Sequence, residues 1–252
     1  MNRRRALRAL AGLALCPVCA RMALAAGAQW SYQGADGPAH WGNIDAASKV
    51  CTVGTQQSPI DIEHPVKAQL PPIKIAWHDR CETIVNNGHT IQLDVVPGST
   101  ISIGNNNDTF TLVQFHFHQP SEHTFAGKGF AMEAHFVHQN DDGALAVLGV
   151  MMKPGSSNAV FKKIAETMPK EAGPPVQADP KIDPHALLPS ERGYYRYEGS
   201  LTTPPCSEVV SWLLLREPIS AAQADIDAFA KVFPMNARPV QDEHRRFVLM
   251  SS

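Results

Sequence analysis

The chain has 252 residues, 44% of them hydrophobic and 18% charged, which is enough for one large β-rich domain or two small ones. Its 20 prolines and 17 glycines make up about 15% of the chain against a typical 12% or so, and this favours turns and strands over long helices. Net charge is −2, falling to −7 (17 basic against 24 acidic residues) once Arg3, Arg4, Arg5, Arg8 and Arg21 near the N-terminus are set aside; this excludes a basic nucleic-acid-binding footprint, and no apolar run of about 20 residues offers stable membrane insertion.

In chain order, residues 1–26 have the form of a cleavable export signal. They show a positive start at Asn2-Arg3-Arg4-Arg5, an alanine and leucine stretch, and A-x-A spacing at Ala23 to Ala26. The arginines suit a twin-arginine route, and three in a row suit an ordinary Sec signal as well; both lead to the periplasm. Leu13-Ala14-Leu15-Cys16 resembles a lipoprotein cleavage box, but bulky Leu15 stands where a small residue is required. Cys16 and Cys19 are therefore expected to leave with the signal. Export places Cys51, Cys81 and Cys206 in an oxidising compartment, where two of the three pair and one is left over; spacing does not choose the pair.

Residues 27–60 are polar and turn-rich and read as an irregular arm carrying Trp30, Tyr32 and Trp41. Strand-like runs follow at Ile73 to His78, Thr83 to Val85, Thr90 to Val95, Thr100 to Ile103, Phe110 to His118, Phe130 to His138, Ala144 to Met152, Tyr194 to Glu198 and Val209 to Arg216, each bounded by turn residues. Helical patterns cover only Ser157 to Thr167 and Ala221 to Val232. Met168 to Pro189, rich in Pro and acids, reads as a surface excursion. Many short consecutive strands predict a mainly β, predominantly antiparallel architecture. No repeat or clean linker divides residues 27–252, so they are expected to form one domain.

Five of the 11 histidines, His116, His118, His123, His135 and His138, fall on or between two strand-like runs. Alternate residues of a strand share a face. Gln114, His116 and His118 then share one face of the first run, with Val113, Phe115 and Phe117 on the other. Glu133, His135 and Val137 share a face of the second, opposite Met132, Ala134 and Phe136. If the runs lie side by side, three imidazoles converge. Three neutral imidazoles suit Zn2+ and leave a fourth tetrahedral position for water, as a catalytic site requires. Gln114 and Glu133, each two residues before a histidine, can accept the second N–H of a metal-bound ring. His123 and His138 fall off this face and are expected to be structural.

The chain resembles the α-class carbonic anhydrases. The resemblance is carried by Gln114-Phe115-His116-Phe117-His118, Ser121-Glu122-His123-Thr124, Glu133-Ala134-His135-Phe136-Val137-His138, Gln57-Ser58-Pro59-Ile60-Asp61, Asn86-Asn87-Gly88-His89, Leu145-Ala146-Val147-Leu148-Gly149, Ser200-Leu201-Thr202-Thr203-Pro204-Pro205, Trp212 and Asn236-Ala237-Arg238-Pro239. Gln119-Pro120 replaces a longer connection of the animal members, as in the compact bacterial subgroup. The resemblance implies a large central, mostly antiparallel twisted sheet with a few short peripheral helices. It pairs Cys51 with Cys206 and leaves Cys81 as the odd thiol.

It further implies hydration of CO2 to bicarbonate by a zinc-bound hydroxide, with His116, His118 and His135 as ligands and Gln114, Glu133 and Asn236 supporting them. Thr202 would accept a hydrogen bond from the nucleophile and donate its own proton to Glu122. Val137, Val147, Leu201, Val210 and Trp212 would form the apolar CO2 pocket. His89 would return protons to solvent through water ordered by Tyr32, Gln92 and Thr203; an unperturbed pKa near 6.5 suits that task. A homodimer is the expected assembly. Hydrolysis of small activated esters is a conceivable side reaction of the same nucleophile. A catalytically silent binding protein of the same fold is the rival reading, distinguished by loss of a zinc histidine or a filled pocket.

Overall fold

The computed structural model describes residues 30–104 and 108–252. The export segment read at residues 1–26, with Cys16 and Cys19, lies outside the described residues.

The first half of the chain supplies β1 (Asp61–Ile62), β2 (Val66–Ala68), β3 (Ile73–Ala76), β4 (Cys81–Asn86), β5 (Ile91–Val95), β6 (Thr100–Ile103) and β7 (Thr109–His118). Then come β8 (Thr124–Phe125), β9 (Met132–Gln139), β10 (Leu145–Pro154), β11 (Val176–Gln177), β12 (Tyr194–Gly199), β13 (Val210–Leu215), β14 (Ile219–Ala221) and β15 (Leu249–Ser251). One 13-stranded sheet runs β11-β4-β5-β7-β9-β10-β13-β12-β15-β2, with β14 joined through β10 and the β3–β6 pair through β7. Pairing is mostly antiparallel, as expected, but β13 and β14 run parallel to β10, and β2 runs parallel to β15.

Period-two alternation decides what each face buries. On β10, Ala146, Leu148, Val150 and Met152 join the larger core with Phe115, Phe117 and Phe136. Val147 and Met151 point the other way, into a second cluster with Val210, Trp212 and Leu214 of β13. His116 and His118 of β7 and His135 of β9 share this second face, where His135 lies against Trp212. Val113 departs from simple alternation, since the β7–β9 register shifts between Leu112 and Gln114.

Helix α2 (Ala159–Thr167) packs Val160, Phe161 and Ile164 against the larger core, and the Asn158 side chain caps it by accepting from the N–H groups of Val160 and Phe161, both at 3.0 Å. Helix α3 (Gln223–Ala230) starts later than the pattern from Ala221 suggests, because Ile219–Ala221 pairs with β10 as β14. The arm before β1 is less irregular than its composition implies: it holds 3-10 turns at Gly34–Asp36 and Pro38–Asn43 and a short helix, α1 (Val50–Val53). The segment Met168 to Pro189 is a surface excursion only in part. Glu171, Pro174, Pro175 and Pro180 are exposed, but Pro184 and Pro189 are buried, Met168, Ala178, Ile182 and Leu187 anchor the segment in the larger core, and Val176–Gln177 extends the sheet edge.

Candidate metal centre

His116 of β7 lies directly across from His135 of β9, and His118 across from Glu133. The antiparallel pairing therefore turns two local alternations into one cluster. Ring centroids are 5.0 Å apart for His116 and His118, 5.4 Å for His116 and His135, and 4.5 Å for His118 and His135. One nitrogen from each ring falls within 4.8 Å of the others.

Each ring has its second nitrogen occupied. His116 Nδ1 pairs with Gln114 Oε1 at 2.8 Å, His118 Nδ1 with the Asn236 carbonyl at 2.7 Å, and His135 Nε2 with Glu133 Oε1 at 2.8 Å. These acceptors fix the tautomers: each tied nitrogen carries the proton, and Nε2, Nε2 and Nδ1 are left as lone-pair donors. His118 Nε2 is buried with no hydrogen-bond partner. Burial and the neighbouring rings hold His116 well below the ordinary imidazole pKa, and burial lowers His118 as well, so both favour the neutral, ligating form.

Glu133 is the hub behind the cluster. Its Oε1 also accepts from His123 Nδ1 at 2.8 Å, and its Oε2 accepts from the backbone N–H groups of Glu122 and His123, both at 2.9 Å. Burial opposes its charge, but the charges and ring hydrogen bonds of His123 and His135 outweigh burial and hold the carboxyl well below the usual range. Gly149 faces His135 across β9 and β10. A Cβ there would lie 2.5 Å from Leu214 Cδ2 and 3.2 Å from Glu133 Oε1, so the missing side chain makes room for this carboxylate. His123 is structural in its contacts, with both nitrogens used: Nδ1 on Glu133 and Nε2 at 2.6 Å from the Tyr197 hydroxyl. It therefore has no lone pair left for a metal. His138 lies in the opposite core, stacked on Trp77 at 5.6 Å, where burial pushes its pKa down to about 3.

The structure gathers the five predicted apolar residues in one place: Val147, Val210 and Trp212 belong to the second cluster, and Val137 and Leu201 pack against it. Thr202 is buried nearby on the loop that Cys51–Cys206 closes; that disulfide has a Cα–Cα distance of 5.1 Å. Cys81 is a free, buried thiol of the larger core. Among the described residues no hydrogen bond joins Thr202 to Glu122. Glu122 Oε1 accepts from Arg238 N at 2.8 Å, and Oε2 is buried without a partner.

His89 sits on a turn made by Gly88 at φ +88° and stacks flat on Trp30, with centroids 3.7 Å apart and planes 6° from parallel. Burial lowers its pKa. Gln92 lies opposite His116 on β5 and donates to Asp94. Tyr32 packs edge-on against Trp30 and Trp41, and Thr203 O accepts from Cys206 N. Beyond its carbonyl on His118, the Asn236 side chain accepts from Gln119 N and donates to the carbonyls of His89 and Phe117. Sequence reasoning missed Tyr197, Gly149 and Arg238. Only Gly149 left a local trace, a glycine inside an apolar strand run. Two surface cavities of about 410 and 510 Å³ lie elsewhere, around Phe110 and Arg196 and around Glu208 and Val209, and hold no histidine.

A family model described as eukaryotic-type carbonic anhydrase matches residues 36–252. A carbonic anhydrase of Pectobacterium carotovorum is 40% identical over 233 residues, covering 92% of this chain and 95% of its own. One from Klebsiella pneumoniae is 42% identical over 223 residues, covering 87% and 90%. Among solved structures, the α-carbonic anhydrase of Thermovibrio ammonificans in complex with the inhibitor sulfanilamide superposes with a TM-score of 0.85 at 43% identity, covering 88% of this chain and 99% of that one.

Proposed function

The chain belongs to the eukaryotic-type carbonic anhydrase family, whose general reaction interconverts CO2 and bicarbonate, and from that premise we propose that it does so with zinc held by His116, His118 and His135. One observation carries the reading: each of the three rings has one nitrogen tied to an acceptor, one nitrogen of each ring lies within 4.8 Å of the others, and His118 Nε2 is buried and unpaired. An unpaired buried acceptor costs about 1–3 kcal/mol, which a divalent ion offsets. All-imidazole donors with no thiolate fit zinc. When bound, zinc supplies Lewis acidity that lowers the pKa of a coordinated water from 15.7 to about 7, a general figure that itself derives from carbonic anhydrase.

The chain's own residues do the rest. A hydroxyl has one proton, so a Thr202 that donates it to ionised Glu122 presents only lone pairs to the nucleophile and orients it. Val137, Val147, Leu201, Val210 and Trp212 keep the substrate side apolar, which suits a small molecule without a net dipole. His89 takes up the proton released in each turnover and passes it to solvent, with Tyr32, Gln92 and Thr203 ordering the water between. A silent binding protein is disfavoured because the chain retains three histidines, Thr202, Glu122 and Val137, where silent relatives lose a zinc histidine or fill the pocket. A closed structural zinc site is disfavoured because His123 is saturated and Cys81 lies in the other core. Residues 27–252 act as one domain, exported to the periplasm behind residues 1–26, and assemble as a homodimer. No helix among the described residues is long and apolar enough to cross a membrane.

The test measures CO2 hydration and zinc content together, before and after chelation, on zinc re-addition, and with a primary sulfonamide. Activity should track zinc near one ion per chain and fall with the sulfonamide. Turnover that survives complete metal removal would overturn the proposal.

A further inference from the structure

Arg238 is buried at 3% exposure, yet none of the roles above uses its side chain. We propose that Arg238 is a positioning residue that sets Glu122 and Thr202 in register with each other, an inference resting on the pairing proposed for those two residues. Its main chain and its side chain grip the two partners separately. The backbone N–H of Arg238 donates to Glu122 Oε1 at 2.8 Å. That bond fixes one carboxylate oxygen and leaves Oε2 buried and free to receive a proton donor.

The guanidinium reaches the other partner's loop. Nη1 donates to Gln57 Oε1 and to the Ser58 carbonyl, both at 2.8 Å, and Nη2 donates to the Cys51 carbonyl at 2.9 Å. Gln57 Nε2 in turn donates to the Cys206 carbonyl at 3.1 Å, and Ser58 exchanges hydrogen bonds with Ser200 at 2.9 and 3.0 Å. Ser200 and Cys206 bracket Thr202, and the Cys51–Cys206 disulfide closes the same bracket. Trp41 covers the guanidinium, with Cζ 5.6 Å from the ring centroid. Burial lowers the Arg238 pKa only to about 10, so it stays cationic at neutral pH. A planar fork with several donors meets three acceptors in fixed directions, which a lysine cannot reproduce.

Zinc-loaded protein, Arg238→Lys and Arg238→Met are compared in the parent chain and in a Glu122→Gln background, reading kcat/KM for CO2 hydration, zinc content and melting temperature. Misplacing a reacting group by about 1 Å can cost up to about 100-fold. The expected loss for Arg238→Lys is therefore about tenfold in the parent, shrinking to under twofold in the Glu122→Gln background because the residue acts through Glu122. Zinc content should not change, and any drop in melting temperature should be equal in the two backgrounds. If Arg238→Met fails to fold, the lysine variant decides. An equal activity loss in both backgrounds, or a folded, zinc-replete lysine variant with parental kcat/KM, overturns the inference. A Glu122→Gln variant that is itself fully active removes the pairing reading, and this inference with it.

Discussion

Replacing Glu133 by glutamine changes one atom in the site and tests the tautomer assignment directly. The carboxylate receives four donors, two ring nitrogens on Oε1 and two backbone N–H groups on Oε2, at 2.8 to 2.9 Å. Glutamine keeps one oxygen, so whichever way the amide turns, two donors meet an NH2 group. Hydrogen bonds to a charged group contribute about 1.5–3 kcal/mol each, and losing two costs about 3–6 kcal/mol. That is a large part of the 5–15 kcal/mol typical of a folded domain. At roughly 2–4 °C per kcal/mol for a chain of this size, metal-free Glu133→Gln should melt about 6–24 °C lower. With the oxygen turned to the backbone, His135 Nε2 faces an N–H, so its proton is driven to Nδ1, the nitrogen proposed to ligate zinc. Competition against a chromophoric chelator should then show zinc affinity at least about tenfold weaker, since 1.4 kcal/mol is a factor of ten. A variant that melts within about 2 °C of the parent and binds zinc equally well would show that Glu133 sets neither the cluster's stability nor the His135 tautomer.

Gly149→Ala should cost about 1–3 kcal/mol by overpacking, because a buried Leu214 must move away from the new methyl; a melting curve coincident with the parent's would contradict the crowding. His89→Ala should slow turnover at low buffer concentration by limiting proton return, with imidazole restoring much of the rate; absence of rescue counts against a shuttle role. His138 gives a pH prediction. Its folded pKa of about 3 lies below the ordinary 6.5, so as pH falls through 6.5 the unfolded chain takes up a proton that the folded chain refuses, and stability drops. The loss starts below pH 6.5, continues toward pH 3 and amounts to about 2 kcal/mol by pH 5. Urea unfolding at pH 7 and pH 5 should show His138→Phe losing about 2 kcal/mol less than the parent between those values, and equal losses would exclude the buried neutral ring.

Which side chains share a face is a local property, and a period of two reveals it without any knowledge of the chain path. Gln114, His116 and His118 on one run and Glu133, His135 and Val137 on the next were therefore legible as a candidate zinc site. So were the long strands, whose apolar rows repeat within a few residues. Short strands such as β2, β11 and β15 left no such signal, because two or three residues hold too little periodicity and their pairing comes from distant partners.

Three histidines with a same-face Glu made a metal a reasonable expectation, while the reaction itself came only from the resemblance to a family. Only the tertiary structure decided what holds them. The acceptor for His118 is a backbone carbonyl at Asn236, 118 residues away, and backbone carbonyls look alike in every sequence. Cys51 and Cys206 meet across 155 residues, a pairing that spacing left open. Arg238 joins Cys51, Gln57, Ser58 and Glu122, and His89 lies flat on Trp30, because the folded path brings segments together that no local pattern links. Local alternation costs nothing to encode and is read directly. Long-range contacts depend on where the whole chain has already gone, and so they become visible only once it is folded.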